Sequence, residues 1–292
     1  MQPGSDGMID PVDTRDPVAV EREVRATHAA LFPEADPAFV PRAFEWATTC
    51  FCGGHRDYQP IDIGYHDLEH TLQGTLCLAR LLRGRHGTAA EPRLTARAFE
   101  LGVLAALLHD TGYLKRRDDR EGTGAKYTVI HEARSAGFAR ALLAPKGFSE
   151  AEVRAVQNMI CCTGLETDLQ TIPFQDELER TVGYALGTAD LLGQMAAPDY
   201  VEKLPLLYDE FVEATRHAAD DSARKYAFES ADALMRNTPA FWDRYARPKL
   251  DAHFGGLYAF LADPFPDGPN AYVQRIEANL ARVAATRPAR AP

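Results

Sequence analysis

The sequence predicts an all-α protein, on three observations. Apolar residues recur at intervals of three and four along almost the whole 292-residue chain, the spacing of a helix with one buried face. No two short β-branched runs are joined by a tight turn of the kind that opens a sheet. Proline and glycine cut the chain into pieces of helical length. No fixed-period repeat and no long linker divides it, so a single compact helical domain over residues 17–286 is expected, with extra N- and C-terminal helices around its core.

Two opening helices are expected at 18–31 and 37–50, punctuated by Pro33 and Pro37 and closed by Gly53 and Gly54. A long helix follows at 65–83, with Leu68, Leu72, Leu76, Ala79 and Leu82 on neighbouring faces. The next, after Pro92 and capped by Thr95, carries the stretch 101–108, which is apolar on all sides as a helix at the centre of a bundle is. A polar loop at 115–126 leads to helices at 127–143, 149–162, 175–195 and 198–219. The last three are expected at 222–236, 239–261 with a break at Pro248, and 269–285. Residues 1–16 read as a disordered tail and 287–292 as a C-terminal tail.

The formal charge of −10, from 42 acidic against 32 basic residues, repels a phosphate backbone, so no nucleic-acid partner is expected. A small anion can still bind where a metal ion or a basic loop inverts the local field. No apolar run approaches the ~20 residues a membrane span needs, and the N-terminus lacks the pattern of a signal peptide, so no membrane association is expected. The five cysteines, Cys50, Cys52, Cys77, Cys161 and Cys162, make neither a disulfide framework nor a zinc motif, which fits a reducing cytoplasm. Cys161 and Cys162 fall on a helix whose Val153, Val156 and Ile160 form a core stripe. The late aromatic cluster Phe241, Trp242, Tyr245, Phe254, Tyr258 and Phe260 suits core, a nucleobase at a pocket rim, or a subunit contact, which leaves a homodimer open.

Imidazoles and carboxylates concentrate in four segments: 65–70 (Tyr-His-Asp-Leu-Glu-His), 107–112 (Leu-Leu-His-Asp-Thr-Gly), 130–132 (Ile-His-Glu) and 186–193. His66 and His70 are four apart, hence on one face of the expected helix. His109 and Asp110 end a helix too apolar to be a surface, and Asp190 is a lone carboxylate in an apolar helix, where a charge is costly unless paired or bound to metal. One divalent cation satisfies them together, and water completing its coordination ionises near neutral pH. Asp67 and Glu69 point elsewhere on the helix, to solvent or to a hydrogen bond with a ligating imidazole. The other histidines, at 28, 55, 86, 217 and 253, have no partner pattern.

His70, the dipeptide His109-Asp110 and the distant Asp190 resemble the H…HD…D signature of the HD-domain metal-dependent phosphohydrolases, over a core of about residues 60–195. Residues 65–70 are similar to the Tyr-His-x-x-x-His opening of the cyclic-nucleotide phosphodiesterase catalytic domain. The resemblance implies a helical bundle of that type in which His70, His109, Asp110 and Asp190 hold one or two divalent ions (Mg, Mn, Fe, Co or Zn). It implies His66 as general acid and Asp110 as a second catalytic residue that bridges metals or orients the attacking water. The substrate so implied is a small phosphoester or nucleotide. His131 resembles the place of an additional family histidine, for a second metal or for the phosphate. The phosphodiesterases carry another His shortly after the HD pair, where this chain has Thr111-Gly112-Tyr113, so their second-metal environment does not transfer intact.

The loop 115–126 combines cations with two glycines and could close over an anion, with Lys126 as its substrate contact. Two other readings are a di-iron oxygenase on the same scaffold and a catalytically silent nucleotide-binding protein. The oxygenase needs a further His near the following helix, and 149–162 contains none; intact ligands argue against the silent binder.

Overall fold

The computed structural model describes residues 12–218 and 221–286. They form ten α-helices: α1 (Pro17–Leu31), α2 (Phe39–Phe51), α3 (Leu68–His86), α4 (Ala96–Leu108), α5 (His131–Leu143), α6 (Glu150–Cys161), α7 (Glu177–Met195), α8 (Tyr200–His217), α9 (Ala231–Phe241) and α10 (Ala271–Ala285). Among the described residues there is no strand, and extended pairing is limited to isolated bridges between Tyr58 and Arg116 and between Ala262 and Asn270. No described helix is long and apolar enough to cross a membrane.

Helix α4 is the axis of the molecule. Its residues 99–108 are all buried, and α1, α2, α3, α6 and α7 pack against it. Each leucine buried there contributes about 1.5–3 kcal/mol, which offsets the cost of the charged pair that follows its last turn. Side-chain caps set the starts of the helices around the site. Asp67 accepts from the His70 amide at the start of α3, Thr95 caps α4, Ser149 and Glu152 form a capping box on α6, and Asp176 caps α7.

The long α3 runs along α7 in the most extensive helix pairing of the protein. Glycine makes this close approach possible. A Cβ at Gly193 would stand 2.9 Å from the backbone of Gln73 and Gly74, closer than packed atoms come. At the far end of α7, the Asn279 side chain on α10 donates to the carbonyls of Met195 and Ala197, at 2.9 and 2.8 Å, satisfying groups the helix end leaves open.

Several boundaries differ from the periodicity. The helix expected from residue 65 begins at Leu68, because Asp67 is extended (φ −91°, ψ −173°) and caps it. Residues 111–113 and 124–127 are 3-10 turns, and α5 starts only at His131. The 222–236 helix divides into a 3-10 turn at Asp221–Tyr226 and α9. Pro239 lies inside α9 instead of opening a helix. Pro248 makes no break: it is helical, between π turns Trp242–Ala246 and Lys249–His253, whose wider spacing absorbs the lost N–H. Residues 12–16 of the expected tail are ordered, with Thr14 bonded to Glu69 and Asp16 capping α1. The rest of that tail (1–11), the 287–292 tail and Ala219 of the expected 198–219 helix lie outside the described residues.

Candidate metal centre

Three core helices bring their polar groups to one point. His70 lies in the first turn of α3, His109 and Asp110 follow the last residue of α4, and Asp190 lies on α7 three residues before Gly193. His70, His109 and Asp110 are buried, and each offers a ligand atom within 4.8 Å of the others, so the group can hold a metal ion. The His70 Nε2 stands 3.2 Å from Asp110 Oδ2 and 3.2 Å from Asp190 Oδ1. The His109 Nε2 stands 3.2 and 3.4 Å from the same two oxygens. Two atoms bound to one ion at about 2.1 Å lie roughly 3.0–3.4 Å apart, so each of these separations fits neighbouring positions of one coordination sphere.

The hydrogen-bond pattern fits an ion as well. The His109 Nδ1 lies 2.7 Å from the Ala106 carbonyl, which keeps the proton on Nδ1 and turns the Nε2 lone pair inward. His109 Nε2, Asp110 Oδ2 and Asp190 Oδ1 are buried with no hydrogen-bond partner: they are close to one another but not aligned as donors and acceptors. Unpaired atoms of this kind are costly, and a shared cation removes the cost. Without one, protons take its place. Burial alone lowers the affinity of His70 for a proton, but Asp110 and Asp190 overcome it and lift its pKa to about 9. Against the same burial, Asp110 and then Asp190 hold His109 well above the ordinary histidine range. Burial likewise opposes ionisation of both carboxylates, and the two imidazoles hold them well below theirs.

A second layer stands beside this centre. The rings of His66, Tyr113 and His131 stack in sequence, with centroids 4.8 and 4.6 Å apart. His131 fixes its Nδ1 on the Thr128 carbonyl at 2.7 Å and points Nε2 toward Asp110 Oδ1 at 3.8 Å. The two oxygens of Asp110 therefore face different imidazoles. Gly112 permits this arrangement, since a Cβ there would meet the His131 carbonyl oxygen at 2.0 Å.

His66 reaches the cavity by a route other than the expected one. It precedes the Asp67 cap, so helical i, i+4 spacing does not align it with His70. It is held instead by Glu210 on α8, a residue the sequence reading did not single out. Glu210 accepts from the Tyr65 amide at 2.7 Å and the His66 amide at 3.3 Å, and its Oε2 is 2.6 Å from His66 Nδ1. The available signal was a carboxylate bordering the apolar stripe Val201, Leu204, Leu207, Phe211 and Ala214.

Other expected residues have structural duties. Lys126 does not line the cavity; its ammonium is 2.6 Å from Asp119 Oδ1 and 2.7 Å from the Glu121 carbonyl. Its loop is tied down to residues 53–62, with Lys115 paired to Asp62 and Arg117 bound to the Gly53, His55 and Arg56 carbonyls. Asp67 and Glu69 pair with Lys203 of α8 at 3.2 and 3.0 Å, tying α8 to the start of α3. Burial and hydrogen bonding keep Cys162 in the core.

The centre opens into a cavity of about 140 Å³. His66, His70, His109, Asp110, His131 and Asp190 form one end, and the remainder mixes leucine and phenylalanine side chains of α8, α9 and their surroundings with the polar Glu132, Thr163, Gln194, Asn237 and Thr238. Lys249 supports that wall from behind, donating to the Gly164 and Leu165 carbonyls at 2.8 and 3.1 Å, and burial pushes its pKa down to about 8.

A model of the Npun_R2479-like family matches residues 56–255. That stretch, about two thirds of the chain, contains every residue of the centre together with Glu210, and the chain belongs to the Npun_R2479-like family. No curated protein matches the chain.

Proposed function

We propose that this member of the Npun_R2479-like family is a metal-dependent phosphoester hydrolase with a bundle of the HD type, in which His70, His109, Asp110 and Asp190 hold a divalent cation. The observation that carries the reading is the convergence of three buried, unpartnered atoms, His109 Nε2, Asp110 Oδ2 and Asp190 Oδ1, beside the Glu210-backed His66. A cation held there supplies a Lewis acid for the phosphoryl oxygens and lowers the pKa of bound water.

The chain's own residues supply the rest. His66 faces the cavity with Nδ1 committed to Glu210, so Nε2 is the atom that hands a proton to the departing oxygen. The Glu210 carboxylate offsets the charge the ring bears when both nitrogens are protonated. Stacking on Tyr113 keeps the ring in place during transfer. Asp110 Oδ1, turned toward His131, is the acceptor available to orient an attacking water or to take part in holding a second ion. The leucine and phenylalanine side chains of the wall reduce the water beside the site and strengthen these interactions.

The test is reconstitution. Metal-stripped protein loaded with magnesium, manganese, iron, cobalt or zinc should bind at least one equivalent and hydrolyse members of a phosphoester panel. Asp110→Ala should lose both metal and turnover. Undiminished metal in Asp110→Ala, or a wild-type protein that retains none, refutes the assignment.

A further inference from the structure

The cavity has a second charged end, away from the metal centre. What it implies about the substrate rests on the hydrolase reading above only for the phosphoryl group at the metal end. Most polar groups of the wall are already engaged. The Thr128, Thr163 and Thr238 hydroxyls donate to the Ala125, Ile160 and Leu234 carbonyls at 2.7, 2.8 and 3.2 Å. The Gln194 amide accepts from the Tyr65 hydroxyl at 2.8 Å and donates to the Asp190 carbonyl at 3.2 Å. Glu132 is different. It lines the cavity with 21% of its side chain exposed, and no hydrogen-bond donor among the described residues reaches its carboxylate. Its Oε2 is 3.4 Å from His131 Nδ1, but the proton of that nitrogen goes to the Thr128 carbonyl. Its Oε1 lies against Gly164, where a Cβ would meet it at 3.3 Å. Lys249, on the other side of that backbone, spends its ammonium on the Gly164 and Leu165 carbonyls and the Tyr245 hydroxyl. Among the described residues, no lysine or arginine lines the cavity. A carboxylate so placed favours a ligand that brings the missing positive charge.

Aromatic rings add to the same preference. Phe211, Tyr226, Phe228 and Phe241 line the cavity, and the Phe211 centroid is 4.8 Å from that of Tyr226 and 6.2 Å from that of Phe228. Rings this close let one cation stand within about 6 Å of more than one of them, drawn by the negative charge of their faces. Glu132 is near this group: after burial, its charge is the largest cause that raises the Tyr226 phenol pKa. An anion gains nothing from ring faces or from Glu132 and is drawn to the metal end instead. The cavity of about 140 Å³ is close to the ~150 Å³ that accommodates one benzene ring, and a trimethylammonium group has similar bulk.

We infer that the substrate is a phosphoester that also carries a quaternary ammonium group, with the phosphoryl group at the metal centre and the ammonium between Glu132 and the rings of Phe211, Tyr226 and Phe228. A quaternary nitrogen suits this end better than a primary one, because it needs a negative neighbour and ring faces but no set of hydrogen-bond acceptors. Away from the centre, Glu132 is the charged side chain of the wall and Asn237 is neutral, so Glu132 decides the sign of the group it faces. The two ends together fix the orientation of the substrate. A phosphoester without the ammonium leaves Glu132 uncompensated, and the site discriminates against it for that reason.

Choline and 3,3-dimethylbutan-1-ol share one shape and differ by a positive nitrogen in place of a neutral carbon. In calorimetry with the metal-loaded protein, choline should bind about ten-fold tighter or more. Glu132→Gln should weaken choline about ten-fold and leave the alcohol unchanged. Phe228→Leu, which removes one ring face, should weaken choline about five-fold, and melting curves check that both variants are folded. Equal affinities, tighter binding of the alcohol, no binding of choline, or a choline preference undiminished in Glu132→Gln overturns the inference. Neither probe is an ester, so the hydrolase reading is decided separately. Metal-dependent hydrolysis of the phosphoester panel without a choline preference overturns the substrate class alone. Choline binding by a loaded protein that hydrolyses no ester, phosphocholine included, overturns the hydrolase reading and leaves the ammonium site standing.

Discussion

Replacing Glu210 with glutamine separates the chemical from the structural part of the site. The amide oxygen can keep the Oε1 position and accept from the amides of Tyr65 and His66, now at 2.7 and 3.3 Å. The amide NH₂ then takes the Oε2 position, 2.6 Å from His66 Nδ1, and must donate. His66 is forced into the neutral Nε2–H tautomer, because a proton on Nδ1 would face another donor. What is lost is a charge-assisted hydrogen bond to a cationic ring, worth about 1.5–3 kcal/mol when buried. If that stabilisation develops only as His66 acts as an acid, kcat falls by roughly 10- to 150-fold.

The fall depends on the leaving group. An alkoxide needs the proton and should show the full loss; p-nitrophenolate leaves without help and should slow less than about three-fold. Steady-state kcat for the two esters, with metal content measured on the same samples, makes the comparison. An equal loss for both esters at unchanged metal content would mean that Glu210 only positions the 65–66 backbone, and the proton-donor role of His66 would be refuted. Glu210→Ala strips both backbone amides of their acceptor as well, so it should unfold at a lower temperature than Glu210→Gln.

Further outcomes follow from the same geometry. Asp190→Ala removes the oxygen 3.2 and 3.4 Å from the two imidazoles, and its metal affinity, read by competition with a chromophoric chelator, should drop more than about ten-fold. Gly193→Ala sets a Cβ 2.9 Å from the Gln73 and Gly74 backbone, whereas at Gly74 the nearest atom is 3.8 Å away; the first should cost about 1–3 kcal/mol and the second should be near neutral, and similar melting temperatures for both would contradict the close helix crossing. In the metal-free protein, His70 is raised to about 9, so the stability it contributes is complete below about pH 6.5 and is lost as pH rises through 9. Metal loading runs oppositely, since ligation needs neutral imidazoles; melting curves of chelator-treated and loaded samples from pH 6 to 9.5 should diverge as pH rises.

Residues whose environment is set locally were legible in the sequence. His109 and Asp110 close a run that is apolar on every side, and Asp190 sits inside another, so their burial follows from their own helices. His66 was placed on the right wall for a reason that does not hold, because helical spacing was carried through Asp67, whose carboxylate terminates the helix at its N-terminal end. Glu210 shares α8 with Glu202, Asp209 and Glu213, and what makes it the buried one is the extended 65–66 backbone, about 145 residues distant in sequence. Lys126 shows the converse: its charge was legible, but its partner Asp119 was not, and that partner turns it away from the cavity. Pro239 suggested a helix start and lies inside α9 instead, and Pro248 suggested a break that the π turns on either side make unnecessary.

The helices outside residues 56–255 explain how a charged cluster survives in this core. α1 and α2 precede the matched region and pack on α3 and α4, while α10 follows it and packs on α7. Each therefore braces a helix that ends in, or carries, one of the converging side chains. The bracing is specific at α10, where Asn279 holds the two carbonyls at the end of α7, about a turn and a half beyond Asp190. Two imidazoles and two carboxylates buried together stay in place by exchanging protons and charge with one another, so the backbone that carries them must be stiff enough to hold their separations at those of one coordination sphere. The apolar packing of α4 on one side and the Gly193 crossing on the other supply that stiffness, and the chemistry of the site is the chemistry of a gap that the core does not let close.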